Sequence, residues 1–487
     1  MSRREDRSAR VAAGPCATRR RAFAGPLALG GALAAACGGP EAGGQQGAQP
    51  AGARAAPVAL RVWSWRPIAM DQFAPIWKEY GAAHHVAFDV DPSGDYEQAK
   101  LTTMLVSDTA PDVWDGRTDV LLKMYDSGWV LPLDRYLARD KLALDRDWVP
   151  TGVERWRQKV YGVPYWADSY AIYYNKTLFR QKGAEDPWER SRNPGQWTLE
   201  ELVAAARRVH DPGADVWGLD WGLASLTGIG PLVWTQGVSH VQTDPRIELQ
   251  LTLPEVVEAH EWALDWMMRQ QLNVQGPAPE AAAARARLQA GRPGIATTGG
   301  TNLFALGRIG IHWRSAVDWQ RMWPLIGTAF EWDMLPVPSI KGKPGASLTG
   351  SHPLNAWART KHPDEAWDFM KWMIQDEFQA FLAEHRYLTP AKRSHQARFF
   401  RVADQYRYQH PQVLGDVYKR PFGLLWGAHY NAVQNMQTYA TEVLKLYRGE
   451  APLRPGLTEL NRLLNQEVDY GGGENPFKGT RWPLQPR

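Results

Sequence analysis

At 487 residues the chain is longer than one compact core usually serves, so two domains are the default. The net charge of +4 is concentrated at one end: seven Arg face only Glu5 and Asp6 within the first 36 residues, which leaves −1 from Cys37 onward. A nearly neutral body argues against a nucleic-acid partner, which needs clustered basic surface. Both cysteines, Cys16 and Cys37, lie in the leader, so the body holds no disulfide and no cysteine-based metal site.

Residues 1–36 read as an export signal. Arg19-Arg20-Arg21-Ala-Phe23 precedes a small apolar run from Ala24 to Ala36 that is too short to span a membrane comfortably. Arg20-Arg21-x-Phe23 resembles a twin-arginine signal, with Arg19 where Ser or Thr is usual. The run ends Leu33-Ala-Ala-Ala-Cys37-Gly-Gly, which resembles a bacterial lipobox with its Leu one place further from the Cys than usual. Cys37 is therefore the expected lipidation site. Residues 37–57, rich in Gly, Ala, Gln and Pro, read as a flexible tether reaching roughly 25 Å.

Val58 to Trp65 reads as a strand ended by Arg66-Pro67, Met70 to Ala82 as a helix, and Val86 to Val90 as a second strand. This β-α-β opening points to an α/β lobe with a parallel sheet, where ligands bind beyond the carboxyl ends of the strands. Trp63, Trp65 and Arg66 fall at such an end and are candidate ligand contacts. Asp89-x-Asp91-x-Ser93-Gly94 begins like a calcium loop, but Lys100 stands where that loop needs a bidentate Glu, so we assign no metal. A helix near Leu101 and a buried strand ending Asp112-Val-Trp-Asp115-Gly116 follow, adding Trp114 and Asp115 as candidates.

Tyr161 to Phe179 is the most distinctive stretch. Alternation puts Trp166, Asp168 and Tyr170 on one face and Tyr165, Ala167 and Ser169 on the other. Two rings flanking a carboxylate suit a polar ligand with apolar faces, and the same pattern equally describes an aromatic core strand. Thr198-Leu-Glu-Glu201 is a capping box, with Trp197 and Leu202 as its staple. Trp262 and Trp266, four apart on a helix near 254–270, read as core. Leu288 to Thr301 leads to a Gly-rich loop in which Gly299 and Gly300 would let backbone amides approach a ligand. Ile309-Gly-Ile-His-Trp313 is a further candidate wall, Gly350 to Ala358 reads as a strand, and Lys361-His-Pro363 starts a helix. Trp426, after Arg420-Pro-Phe, precedes the last helices.

Gly162-Val-Pro-Tyr165, Tyr174-Asn-Lys176 and Trp197-Thr-Leu-Glu-Glu-Leu202 together resemble the family-1 extracellular solute-binding proteins, the maltose-binding-protein-like receptors of ABC importers. Pro111-Asp-Val113, Leu131-Pro-Leu-Asp134 and the block from Phe330 to Arg393 extend the resemblance from about Val58 to the last helices. It implies an α/β, two-lobed, periplasmic-binding-protein-like fold with a hinged cleft, and a Trp at the place of Trp426 contacting ligand. It also makes Asp95 and Tyr96, before the next helix, candidate contacts. The chain would cross between lobes near 166–171, 331–336 and 373–378. The expected layout is 58–167 and 332–375 in lobe 1, 168–331 and 376–470 in lobe 2, and a tail at 471–487.

The implied function is capture of a carbohydrate, an oligosaccharide by the abundance of Trp (24 in all), by an exported lipoprotein. A monomer held outside the cytoplasmic membrane would deliver it to permease subunits without any cofactor. Two other readings stay open: a secreted carbohydrate-cleaving enzyme using two of Asp95, Asp115, Asp168 and Glu331, and a receptor for glycerol-phosphate esters using Arg66 or Arg420. No Gly-x-Ser-x-Gly elbow or His-Glu-x-x-His supports catalysis. A surface adhesion module would need an exposed aromatic patch instead of a cleft. Trp166→Ala and Trp426→Ala are each expected to weaken binding while leaving the melting temperature of the unliganded chain nearly unchanged.

Overall fold

The computed structural model describes residues 56–64, 67–91, 98–116, 122–144, 147–149, 154–193, 195–242, 248–290, 303–316, 322, 325–385, 388–401, 410–417, 421–423 and 432–466. The compact unit described below runs from Ala56, the first of the two into which the chain divides being outside the described residues. Every element described below lies in the second.

Local chemistry sets the opening as a β-α-β unit. β1 (Val58–Trp63) pairs in parallel with β2 (Val86–Asp91), and the helix α1 (Pro67–His84) connects them. α2 (Gln98–Val106) leads to β3 (Val113–Asp115), which lies parallel to β1 on its other side, with Trp63 beside Trp114. Lys100, the residue that disqualified a calcium loop, donates to both carboxylate oxygens of Asp91 at 2.9 and 3.2 Å. An ammonium therefore stands where a cation would have been held.

β4 (Glu154–Trp156) forms a hairpin with β5, a 17-residue strand running from Lys159 to Asn175. The remaining strands are β6 (Trp217–Asp220), β7 (Val241–Gln242), β8 (Glu248–Leu249), β9 (Ile309–Ser315), β10 (Trp332–Leu335), β11 (Ser347–Ala356) and β12 (Pro421–Gly423). Ten of them form one sheet whose main path is β2-β1-β3-β11-β5-β9-β6, and β7 with β8 forms a separate ribbon.

The path has two halves because β5 changes partner along its length. Val163 to Ser169 pairs antiparallel with β11, whereas Tyr170 to Tyr174 pairs antiparallel with β9. Side chains follow this division only in part, since the largest buried cluster joins Trp63, Leu101 and Trp114 with Ile172, Leu219 and Ile311 across both halves. Leu60, Phe73, Val113, Val163, Leu354 and Phe369 share one buried cluster, while Tyr173, Trp217, Phe304, Ile309 and Trp332 share another.

The later passages fall further along the chain than expected. Trp332–Leu335 is a strand that still pairs with the second half of β5, at Ile172 to Asn175. Ser339 is bonded to Trp197 and Leu199, and the chain joins the first half only as β11 begins at Ser347. The crossing expected near 331–336 thus falls on a strand that stays beside the second half of β5. Likewise Met373 and Phe378, flanking the third expected crossing, both sit in the core of the first half, as do Leu388 and Ala391. The change comes later, with Phe399 packing into the core of the second half.

Several local readings hold at atomic detail. Thr198 caps the helix Leu199–Val209 by accepting from Glu201 N, and Leu199, Leu202, Val203, Ala206 and Val209 are buried along it. Asn175 ends β5 by capping the next helix through Leu178 N at 2.9 Å. Asp134, by contrast, accepts from Val160 N at the edge of β5 instead of capping its own helix. Trp266 is buried and Trp262 half-buried.

The helix Ala432–Tyr447 is tied to the second half through one imidazole. His260 lies 2.8 Å from the Tyr447 hydroxyl at Nδ1 and 3.0 Å from that of Tyr439 at Nε2. A neutral ring satisfies both contacts, with Nδ1–H donating to Tyr447 and Tyr439 donating to Nε2. Burial, reinforced by His240, pushes the His260 pKa down to about 3, and burial alone pushes His240 down to about 4. Both rings are neutral when folded, and unfolding lets them take up protons below about pH 6.5. Their stabilisation is present above that pH and lost as pH falls toward 4 and then 3. Thermal melts should therefore show Tm dropping below pH 6.5. His260→Gln, which keeps a donor and an acceptor, should flatten part of that drop; an identical pH slope in the variant would contradict the assignment.

Candidate functional site

β5 is buried almost throughout its sheet-forming length. Beyond the exposed Lys159 at its start, only Asp168 and Tyr170 are partly open to solvent. These two residues flank Ser169, where pairing passes from β11 to β9. On β11 the facing positions are Gly350, opposite Asp168, and His352, opposite Trp166, and both are also half-open. The accessible patch thus sits on the strand shared by the two halves, at the point of exchange.

The second half supplies one wall. Ser315, paired with Tyr170, donates its hydroxyl to Asp168 at 2.7 Å. The Tyr170 and Trp313 rings lie 5.7 Å apart at 36°, and Trp313 stacks on Trp221 at 5.1 Å and 18°. Trp221 donates its indole N–H to Gly228 O, whereas the buried Trp313 Nε1 has no partner among the described residues. Directly before this pair, Asp220 and His312 meet at 3.1 Å. Burial alone would raise the Asp220 pKa, but His312, Gln275 and Arg314 outweigh it and hold the carboxyl below its usual range. This contact joins the adjoining ends of β6 and β9.

The first half supplies the other wall. Asp115, at the carboxyl end of β3, accepts from the Tyr165 hydroxyl at 2.8 Å and from Ser64 at 3.0 Å. The His352 ring lies flat on Trp166, with centroids 3.9 Å apart and planes 3° from parallel, and its Nδ1 stands 3.9 Å from Asp115. Ser64 and Tyr165 thus converge on the Asp115 carboxylate, with the His352 ring nearby.

Of the candidate contacts named from the sequence, Asp168, Tyr170, Trp166, Asp115 and Trp313 come together around the strand exchange. Trp63 and Trp114 stand side by side at the ends of β1 and β3 but are 1% and 0% exposed, within a cluster that also holds Leu101 and Leu105. Trp65, Arg66, Asp95, Tyr96, Gly299, Gly300 and Trp426 lie outside the described residues, as does Cys37 with the export signal. Glu331 is on the surface, 2.8 Å from Arg180. Gly350, His352, Ser315 and Trp221 were not singled out from the sequence. The available signal was Gly350, a glycine inside a strand.

A long strand shared between two α/β halves is the architecture of a two-lobed fold. The chain belongs to the bacterial extracellular solute-binding proteins, whose family pattern it matches over residues 65–380. Its fold is similar to that of an ABC substrate-binding protein from Listeria monocytogenes in complex with cycloalternan, with a TM-score of 0.68 and 16% identity over 84% of this chain and 98% of that one. The GacH receptor of Streptomyces glaucescens, whose structures include a complex with acarbose, gives 0.67 and 17% over 85% and 100%. The maltose/maltodextrin-binding domain MalE from Bdellovibrio bacteriovorus, bound to maltotriose, gives 0.65 and 13% over 84% and 100%. No curated protein matches the chain by sequence. Members of this family are binding proteins, and among the described residues no helix is long and apolar enough to cross a membrane.

Trp166 is fully buried and sandwiched against His352, so the expectation that its removal would leave the unliganded chain's melting temperature unchanged does not fit. Truncating a buried Trp costs about 3–5 kcal/mol. Trp166→Ala should lower the Tm of the unliganded protein by many degrees, whereas Tyr170→Ala, at a half-open position, should lower it far less. Equal losses in thermal denaturation would show that Tyr170 is also core.

Proposed function

We propose that this protein is the substrate-binding component of an ABC importer and that it captures a carbohydrate, an oligosaccharide, between its two halves. The observation that carries this reading is the pair Asp168 and Tyr170, the accessible positions on an otherwise buried strand at the exchange between halves. Family membership supports solute binding. The sugars bound by the similar structures support the ligand class: cycloalternan, acarbose and maltotriose.

The chemistry of the walls suits a sugar. Tyr170 offers an aromatic face to the C–H side of a pyranose, with Trp313 tilted behind it and its indole N–H available to a hydroxyl. Asp168 accepts hydroxyl hydrogen bonds while Ser315 holds its orientation. Ligand contacts made by both halves exist only when the halves close, so binding shifts the hinge equilibrium toward the closed form. That form would dock on the permease. Ser169 and Ser347 mark the hinge, because β5 and β11 change surroundings there. Cys37 would carry the lipid and residues 37–57 the tether, holding a monomer outside the membrane.

A paired-carboxylate enzyme is disfavoured by where the carboxylates sit. Asp115 is buried and already accepts two hydroxyl hydrogen bonds, and Glu331 is spent in a surface ion pair. We therefore read the protein as a receptor that returns its ligand intact.

The test is a thermal-shift series with glucose, maltotriose, mannotriose and glycerol phosphate. A ligand at one hundred times its Kd should stabilise by about 2.7 kcal/mol. Stabilisation by a trisaccharide that is recovered uncleaved is the expected result. Stabilisation by glycerol phosphate alone, or recovery of cleaved sugar, would overturn it.

A further inference from the structure

Gly350 has no local reason to be glycine. It occupies the interior of β11, where a residue without a side chain weakens the strand and commonly marks a place approached closely by ligand or backbone. Two other strand glycines, Gly218 and Gly310, have a visible cause. A Cβ on Gly218 would stand 2.5 Å from Ala206 O, and one on Gly310 would stand 2.4 Å from Val209. Glycines facing open space, such as Gly128 and Gly327, are at turns with φ of +68° and +51°. Gly350 has neither constraint: its φ is not in the left-handed region, and a Cβ there meets nothing within 4 Å among the described residues. The register irregularity of β11 lies further on, between His352 and Pro353.

No described residue fills the space that a side chain at 350 would take, and we read that space as kept for a ligand. Gly350 faces Asp168 across the sheet, and its cross-strand neighbours along β5 lead to Tyr170 on one side and Trp166 on the other. We propose that Gly350 is a specificity-determining residue: its missing side chain opens the subsite beside Asp168 and so sets how bulky a sugar the cleft admits there. This rests on the proposed carbohydrate site. A side chain at 350 would project toward a ring seated against Asp168 and Tyr170, excluding substituted or internal units of a chain before it excludes a single small ring.

The experiment is a series in the full-length chain, Gly350→Ala, Gly350→Val and Gly350→Leu, beside Asp168→Asn, with Tm and Kd for glucose, maltotriose and mannotriose measured for each. The unliganded Tm should stay at or above wild type across the series, since any side chain suits a strand better than glycine. Trisaccharide Kd should rise stepwise with side-chain size, by tenfold or more for Leu, with glucose affected less. If Gly350→Leu binds the trisaccharide as wild type does while Asp168→Asn has lost binding, the site stands and Gly350 does not gate it. If both bind normally, the site itself is misplaced. A large drop in Tm with Gly350→Ala would mean the space is needed for folding and would also overturn the inference. Failure of every sugar to bind the wild-type chain would remove the carbohydrate reading and the inference with it.

Discussion

The whole unit depends on one strand joining the two halves of a single sheet. β5 gives its backbone hydrogen bonds to β11 as far as Ser169 and to β9 from Tyr170 onward. Each half therefore completes its core on the same continuous chain, and neither can be rearranged without disturbing the shared strand. A strand in this position must be buried on both sides over most of its length, which explains the run of Val160, Val163, Tyr165, Ala167, Ala171, Tyr173 and Tyr174 at 2% exposure or less. What stays partly open is the seam, the point of exchange, where Asp168 and Tyr170 stand on either side of Ser169.

This constraint also orders the polar chemistry. Away from the seam, several buried polar groups are held in closed networks inside the protein: His260 between two tyrosines, Gln379 between Tyr165 O, Met373 O and Lys392 N, and Asp333 against His410. Such closed networks fix one arrangement, since a half-satisfied one is costly. At the seam the Trp313 indole N–H lacks a partner among the described residues, as do those of Trp77, Trp148 and Trp217 in the cores, and a Cβ on Gly350 would meet no described residue within 4 Å. The combination at the seam, a partly open carboxylate and ring beside that space, is one a ligand can use.

How much of this was legible depends on the range of the interaction. The β-α-β opening, the cap at Thr198, the strand end at Asn175 and the alternation at Asp168 and Tyr170 are set by neighbours within a few residues, and the sequence shows them. The abundance of tryptophan was less informative than it looked. Trp63, Trp114, Trp166, Trp217, Trp332 and Trp367 are all core rings, so their number reflects filling of two cores more than stacking on sugar. The return at Ser347 was not legible, because its bond to Tyr170 O at 2.7 Å spans 177 residues. The same separation hid Gly350, His352 and Ser315, whose roles exist only once β11 and β9 lie beside β5.

The central claim is that ligand binds at the seam, against the residues where β5 changes partner. The most direct measurement is a crystal structure of the protein with whichever oligosaccharide stabilises it. The account predicts an intact sugar in contact with Asp168 and Tyr170, passing over Gly350, with both halves touching it. A sugar bound on an outer face of either half, with Asp168 still bonded only within the protein, would contradict it.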